Sequence, residues 1–340
     1  MTVGGRRASA LAMVLTCALV WGAEEGLVLT GSDVLCRPGE EAVLAVKVEN
    51  AGWRHKDAEG ARVSAVLVDD GVRRPLADVV TDDDGWAEFP VSLKEPGVSR
   101  VLVAAVGAGG DSGKRGGNTF LVVCRNTDRL GVVLDIDDTL TASDAAIMDS
   151  SPPVRDADTI SVVTALAERY DIVYLTGRVR WDSARIRQWL WANGFPPGPL
   201  FVRDLKLSGE LFAADYKRQT LRELRRHFPN IVVGVGDEDG DAEAYTDSGM
   251  VPILIEEEES EAWNVERWSQ IRELLLGDAV TFTSRLSCEV TRGGKPWGAR
   301  CTERSGQWAL AADGLAPAAG SWAEVRGILF EHLKKQGADQ

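Results

Sequence analysis

The sequence predicts two kinds of domain in one chain, an all-β sandwich followed by an α/β domain with a parallel sheet. Up to about residue 126, short apolar runs rich in β-branched residues alternate with turn signals, which is typical of sandwich strands. Beyond that point, apolar runs alternate with helical segments, which predicts parallel strands covered on both faces by helices. A chain of 340 residues is long enough for two or three such units.

The amino terminus predicts a secretory signal peptide over residues 1–23. Arg6 and Arg7 precede an uncharged apolar stretch at 8–20, which is short for a membrane span. Cleavage after this stretch would leave a periplasmic or secreted protein. An uncleaved membrane anchor is the alternative.

The sandwich is predicted over residues 24–126. Its clearest strand candidates are 42–49, 61–68 and 86–93, and an acidic turn at 82–85 precedes the last of them. This arrangement resembles bacterial immunoglobulin-like modules, so we expect an Ig-like fold. The acidic turn could hold calcium, but a solvated turn accounts for it more simply.

The α/β domain is predicted over residues 127–278. Ligands of parallel sheets bind at the carboxyl ends of the strands, so functional residues are expected at that edge. The candidate strands are 132–136, 172–176, 200–202, 231–236 and 252–255. The candidate helices are 159–169, 181–193, 215–228 and 242–248.

Two carboxylates end the first of these strands, in the segment Gly131-Val-Val-Leu-Asp-Ile-Asp-Asp-Thr-Leu140. Alternate residues of a strand point to one face, so Asp135 and Asp137 could be aimed at the same reacting centre. One carboxylate could attack while the other transfers a proton. By itself the pair is compatible with several chemistries.

Three further motifs follow later strands at the same predicted edge. They are Tyr174-Leu-Thr-Gly-Arg178, a lysine at the start of the helix at 215–228, and Gly236-Asp-Glu-Asp-Gly-Asp241. Together with the Asp pair they resemble phosphatases of the haloacid dehalogenase (HAD) superfamily over residues 129–257. The likeness is closest to the lipin-type and the yeast actin-patch phosphatidate phosphatases.

This resemblance implies a Mg²⁺-dependent phosphatase that works through an aspartyl-phosphate. Asp135 would be the nucleophile and Asp137 the general acid and base. The metal ligands would be Asp135, Asp137 through its backbone carbonyl, and Asp237, with Asp241 outside the direct coordination shell.

The resemblance also implies the groups that bind the phosphate: Thr176, Arg178 and Lys217. A helix cap is the alternative role for Thr176, and a surface ion pair is the alternative for Arg178. Lys206 is the alternative to Lys217, and the sequence leaves that choice open.

The predicted site lacks a large cap domain, since neither usual insertion point is long enough. An open site suits a phosphorylated lipid or another bulky phosphomonoester, and the subfamily likeness favours phosphatidate. Peripheral membrane contact would accompany a lipid substrate. Another extracytoplasmic phosphomonoesterase, a phosphatidate-binding module without turnover, and an envelope scaffold are the alternatives. The net charge of −14 argues against binding to nucleic acid.

The last part of the chain, residues 279–340, is predicted to be a hairpin followed by a helix at 322–335. A helix at 262–276 precedes it. The tail is rich in tryptophan, which we expect to pack against the α/β domain, with contact to a lipid interface as the alternative. Four cysteines remain after the leader, and they could form two disulfides, within each module, or stay buried thiols: Cys36, Cys124, Cys288 and Cys301.

Overall fold

The computed structural model describes most of the chain beyond the proposed leader. The predicted signal peptide and Lys206 lie outside the described residues. Within the described ranges, no helix combines the length and the apolar character that a membrane crossing requires. These ranges are 26–52, 55–142, 153–204, 213–255, 262–282, 286–292 and 295–338.

The N-terminal part consists of two sheets that share one core. One sheet has the strand order β1-β3-β7, and the other has the order β2-β9-β8-β4-β5, with β6 beside β4. Alternating side chains of both sheets, such as Leu44, Phe89 and Val101, are buried in the same cluster. An all-β N-terminal part is confirmed, whereas its Ig-like class stays a prediction. The strands are β1 (Leu27–Thr30), β2 (Val34–Cys36), β3 (Ala42–Asn50), β4 (Arg62–Asp69), β5 (Val72–Pro75), β6 (Val79–Val80), β7 (Trp86–Val91), β8 (Gly97–Val106) and β9 (Arg115–Cys124).

An α/β part with a parallel sheet follows, as the alternation of elements predicts. The strand order is β12-β11-β10-β13-β14-β15, and every neighbouring pair is parallel. Apolar residues cover both faces, so the central strands β10 and β13 are fully buried. The strands are β10 (Gly131–Leu134), β11 (Asp171–Val179), β12 (Leu200–Arg203), β13 (Ile231–Gly236), β14 (Val251–Ile255) and β15 (Trp263–Val265). The helices are α1 (Thr159–Arg169), α2 (Ser183–Asn193), α3 (Ala213–His227), α4 (Asp239–Asp247) and α5 (Trp268–Leu276).

The predicted helix at 262–276 is wrong in its first part. Residues Trp263–Val265 form β15, the sixth strand of the sheet, and the helix begins only at Trp268. The indole of Trp263 is fully buried, so the strand is held by packing as well as by pairing with β14. Three residues are too few to show the period of two that identifies a strand.

The tail forms a four-stranded antiparallel sheet and a long helix. Its side chains belong to the same core as the α/β part, in line with the packing role expected for its tryptophans. The Trp308 and Trp322 rings lie 4.8 Å apart, and Trp263 lies 5.6 Å from Trp322. The elements are β16 (Ser287–Arg292), β17 (Lys295–Arg304), β18 (Gln307–Ala312), β19 (Ala318–Gly320) and α6 (Trp322–Ala338).

The four cysteines beyond the leader are buried thiols, which matches the second of the two alternatives. Cys36 and Cys124 face each other on the adjacent strands β2 and β9. Cys288 and Cys301 are not opposite each other, because the register of β16 and β17 pairs Cys288 with Ala299. Burial raises the pKa of the Cys301 thiol to about 12, which keeps it unreactive.

Candidate active site

A tight turn follows β10 and presents the two carboxylates of the first motif. The backbone N–H of Asp135 donates to Val235 O at 2.9 Å, so Asp135 is still fixed to the neighbouring strand β13. The chain then turns at Asp138, which has a φ of 48°. Asp is among the few residues other than glycine that adopt this left-handed conformation readily. The turn therefore separates Asp135, inside the sheet edge, from Asp137, nearer the surface.

Three carboxylates converge below this turn. Asp135, Asp237 and Asp241 each offer an oxygen within 4.8 Å of the others. Asp135 follows β10, while Asp237 and Asp241 follow β13, so adjacent central strands deliver all three. The structure thus brings together residues that lie about a hundred positions apart in the sequence.

Lys217 is inserted into this cluster from α3. Its Nζ lies 2.7 Å from Asp135 Oδ1 and also contacts Asp241 Oδ1. Burial alone would lower the pKa of Lys217, but Asp135 and Asp241 outweigh that effect and raise it well above its ordinary value. The two carboxylates therefore favour the charged form of Lys217. The position fits the expected role of Lys217.

The cluster has the properties of a divalent cation site. When all three carboxyl groups are ionised, they and the one ammonium group have a net charge of −2, which a divalent cation would neutralise. Asp241 Oδ2 is buried, and no described residue forms a hydrogen bond with it. Such an atom is costly to bury unless a cation or another donor meets it. All the available donors are oxygens, which is the ligand type that Mg²⁺ prefers. The residues present therefore fit Mg²⁺.

Burial disfavours the ionised forms of the carboxylates in the cluster. Burial raises the pKa of Asp135 well above its ordinary value, with Lys217 opposing and Asp241 adding to the rise. Burial likewise raises the pKa of Asp237 to about 7, although Thr139 opposes this by a hydrogen bond. A cation bound between these groups would favour their ionised forms.

Asp137 points to a different set of groups from Asp135. Its Oδ1 accepts a hydrogen bond from Arg178 Nε at 2.7 Å, and its Oδ2 accepts one from Thr176 Oγ1 at 3.2 Å. The Thr176 hydroxyl also accepts from the Arg178 backbone N–H at 3.1 Å. The three residues thus form one polar group beside the carboxylate cluster, only partly exposed at Asp137 and Arg178.

Glycines allow the close approach of these elements. A Cβ at position 236 would overlap the carboxylate of Asp241, so only glycine lets Asp241 turn towards Asp237. A Cβ at position 177 would lie 2.6 Å from the Ala213 side chain. Gly177 therefore lets the start of α3 pack against β11, which is what brings Lys217 into the site.

Two supporting residues were not anticipated as parts of the site. Thr139 Oγ1 donates to Asp237 Oδ1 at 2.9 Å, so the first motif also orients a carboxylate of the last. Trp268 Nε1 in turn donates to Thr139 O at 2.9 Å. Thr139 lies two residues after Asp137 and could have been found from the motif, but nothing local in the sequence marks Trp268.

The structure brings the predicted site residues together in two adjacent groups. Asp135, Asp137, Thr176, Arg178, Lys217, Asp237 and Asp241 all lie at the carboxyl edge of the parallel sheet. Asp241 was expected outside the metal shell, but its carboxylate lies inside the cluster. The side chain of Asp137 faces Arg178, and its backbone carbonyl, the group expected to bind the metal, accepts from Thr139 N at 2.6 Å.

Comparison with known proteins is consistent with this geometry. Residues 132–255 match the family model described as the LNS2 domain of PITM 1–3. The LNS2 domain belongs to the lipin-type, HAD-like phosphatase family, so this part of the chain is similar to a domain of that family. The match extends from the second residue of β10 to the end of β14 and includes all seven predicted site residues.

The curated relatives carry the name of a lipid transfer protein. Membrane-associated phosphatidylinositol transfer protein 1 of Rattus norvegicus is 32% identical over 179 residues, which is 51% of this chain and 13% of that protein. The Homo sapiens protein is 34% identical over 181 residues, with the same coverage of 51% and 13%. This chain therefore spans only a small fraction of the length of these relatives.

Solved structures similar to this chain match only weakly. A PapD-like domain of human CEP192 is 8% identical and covers 34% of this chain and 96% of its own, with a TM-score of 0.20. WR4, an MSP family member of C. elegans, is 7% identical, and the match covers 27% of this chain and 92% of WR4, also with a TM-score of 0.20. Likeness at this level decides nothing about the fold.

Proposed function

We propose that this protein is a Mg²⁺-dependent phosphatase that forms an aspartyl-phosphate on Asp135. The observation that carries the proposal is the contact of Asp135 with Lys217 inside a cluster of carboxylates with a net charge of −2. This combination provides a nucleophile, a fixed cation and a place for a metal at one point of the sheet edge. A structural ion pair would not require the additional carboxylates.

The proposed reaction has two displacement steps. An Asp135 oxygen attacks phosphorus, the bond from phosphorus to the leaving oxygen breaks, and Asp137 gives its proton to that oxygen. Asp137 then takes a proton from water as the water oxygen attacks phosphorus, and the bond to Asp135 breaks. Phosphate leaves, and both carboxyl groups return to their starting states.

The neighbouring residues bind and orient the phosphate. Lys217 holds one oxygen of Asp135 and leaves the other oxygen for attack. Arg178 and Thr176 contact Asp137, so a phosphate that enters beside Asp137 would meet the donors of both residues. Bound Mg²⁺ would reduce the repulsion between the Asp135 carboxylate and the phosphate dianion.

We further propose that the substrate is phosphatidate or another bulky phosphomonoester. Support comes from the similarity to the LNS2 domain, from the lipid named for the curated relatives, and from the short connections at the cap positions. The same relatives favour a second candidate, lipid binding without turnover, because they are named as transfer proteins. The complete set Asp135, Asp137, Lys217 and Asp237 favours catalysis over binding alone.

Export through the predicted leader and an Ig-like class for the sandwich belong to the same proposal. The sequence at 6–20 supports export, and the core shared by the two sheets supports an Ig-like class for the sandwich. Sequencing the mature amino terminus tests the first point. An intact Met1 on protein recovered from the cells of origin would contradict cleavage.

The test of the proposed function is phosphate release from phosphatidate vesicles and from a panel of soluble phosphomonoesters. Each substrate is assayed with Mg²⁺ and with chelator, for the wild type and for Asp135→Asn. Asp239→Asn is the matched control, since Asp239 is exposed and lies beside the cluster without contacting it. We expect Mg²⁺-dependent release that Asp135→Asn abolishes and the control retains. Phosphatidate binding without release from any ester would instead establish the transfer or binding role.

A further inference from the structure

The segment that follows the phosphate-binding motif leaves the sheet irregularly. Strand β11 pairs in register with β12 up to Thr176, but the register shifts before Val179. Gly177 and Arg178 therefore bulge from the ladder, and a 3₁₀ turn at Arg180–Asp182 follows at once. A bulge re-aims the side chain it carries, so the position of Arg178 depends on what holds the chain on either side.

On the far side, the segment is held by the N-terminal sandwich. Glu49 of β3 accepts two hydrogen bonds from Arg180, at 2.9 and 3.0 Å, one to each carboxylate oxygen. Its Oε2 also accepts from Trp181 Nε1 at 2.9 Å. The Glu49 side chain is only 2% exposed and that of Arg180 is 7% exposed. Such a bidentate pair fixes direction as well as distance.

Other contacts of the sandwich surround the same turn. The His55 ring stacks on Trp181, with centroids 4.2 Å apart and planes 12° from parallel. Arg180 Nε also lies 3.2 Å from Asp204 Oδ1, just beyond β12. The turn is thus held between the sandwich and the edge of the parallel sheet.

A second buried ion pair fastens the two parts nearby. Asp33 accepts from Arg187 Nε at 2.8 Å and from the backbone N–H of Leu200 at 2.9 Å. The Asp33 backbone N–H donates back to Leu200 O at 2.8 Å, so the sandwich extends the hydrogen bonding of the β12 edge. The Asp33 side chain is fully buried. These contacts keep Glu49 at a fixed distance from the site.

The path from Glu49 to the site is short. Arg180 is two residues from Arg178, and Arg178 contacts Asp137, the proposed proton donor. We infer that Glu49 is a positioning residue for the phosphate-binding segment, acting through Arg180 and Trp181. The sandwich then completes the site without contributing a group that touches the substrate. This inference rests on the proposed function for what Arg178 binds.

The test compares three single substitutions in the full chain. Glu49→Gln keeps the shape of the side chain but loses its charge and one acceptor. Trp181→Phe removes the indole donor and reduces the ring that stacks on His55, and it serves if Glu49→Gln fails to fold. Glu88→Gln is the matched control, because Glu88 is an exposed glutamate of the same sandwich.

Three measurements are made on each protein. They are KM and kcat for p-nitrophenyl phosphate, the Kd for inorganic phosphate, and hydrogen–deuterium exchange of the backbone at 176–182. We expect Glu49→Gln to raise KM and Kd about tenfold while kcat changes less than about twofold, because Asp135 and Lys217 are undisturbed. Exchange at 176–182 should become faster, and the control should match the wild type.

The outcomes separate this inference from the proposed function. A folded Glu49→Gln protein with unchanged KM, Kd and exchange would overturn the positioning role. A purely structural role would lower the melting temperature with no change in KM, and it would overturn the inference as well. If the wild type neither releases nor binds phosphate, the proposed function fails. Exchange at 176–182 then decides the positioning role: faster exchange in Glu49→Gln supports it, and unchanged exchange overturns it.

Discussion

Replacing Lys217 by methionine perturbs the centre of the site with the least change of shape. Methionine keeps an unbranched apolar side chain but removes the ammonium group that contacts Asp135 and Asp241. The net charge of the ionised cluster would change from −2 to −3. This change occurs in a buried place, because the side chains of Lys217, Asp135 and Asp241 are each 8% exposed or less. Removing one partner of a buried ion pair typically costs about 3–5 kcal/mol.

We therefore expect Lys217→Met to lose about 3–5 kcal/mol of unfolding free energy in chelator. Protonation of Asp135 would limit this loss, because a buried carboxyl group that has lost its cationic partner takes up a proton more readily than it stays ionised. Saturating Mg²⁺ should recover part of the stability, because the cation binds the folded cluster and supplies the missing charge. Turnover should fall about 10²–10³-fold even then, the usual effect of losing one fixed donor.

The assay is a urea titration with chelator and with Mg²⁺, alongside steady-state phosphate release. Lys94→Met is the control, because Lys94 is an exposed lysine of the sandwich. If Lys217→Met unfolded within about 0.5 kcal/mol of the wild type in chelator, the reasoning about the buried cluster would be refuted. Turnover close to that of the wild type would refute the role of Lys217 in the reaction.

Three further predictions concern the same cluster. Asp241→Asn should weaken Mg²⁺ binding about 10–100-fold in calorimetric titrations, because it removes one carboxylate charge from the cluster while Lys217 keeps its contact with Asp135; unchanged Mg²⁺ affinity would contradict this. Thr139→Val should lower the free energy of unfolding by about 1 kcal/mol, because it removes the hydrogen bond to Asp237. It should also raise the Mg²⁺ concentration needed for half-maximal turnover, and an unchanged Mg²⁺ dependence would show that Thr139 does not orient Asp237 for the metal. In chelator, urea titrations should show lower stability at pH 8 than at pH 5. Burial raises the folded-state pKa of Asp237 to about 7, so the folded state holds a proton that the unfolded chain has already released, and stability is lost as pH rises towards that value. Equal stability at both pH values would contradict the burial of unneutralised carboxylates.

The parallel sheet and most of its site could be predicted from the sequence because their signals are local. Buried parallel strands are continuous apolar runs, and two of the site carboxylates directly follow such runs: Asp135 follows β10 and Asp237 follows β13. Lys217 was harder to choose, since a lysine on a helix has no local mark of burial. The Lys217 side chain reaches the carboxylate cluster only because Gly177 lets α3 approach the sheet.

The features that the sequence did not predict depend on long-range contacts. The position of Asp241 inside the cluster follows from the absence of a side chain at Gly236, a packing effect that spacing alone does not reveal. Glu49 and Arg180 are 131 residues apart and belong to different parts of the fold. Neither residue carries a motif, so their pairing emerges only when the sandwich and the sheet are placed together.

The most direct test of the central claim is to trap the phosphorylated protein during turnover. Borohydride reduces an aspartyl-phosphate to homoserine, and mass spectrometry of the peptide that contains Asp135 detects the change. We predict homoserine at position 135 when the reaction is quenched with substrate and Mg²⁺ present, and none with chelator. Rapid phosphate release with Asp135 unmodified in every quenched sample would contradict the account, because water would then attack the substrate directly.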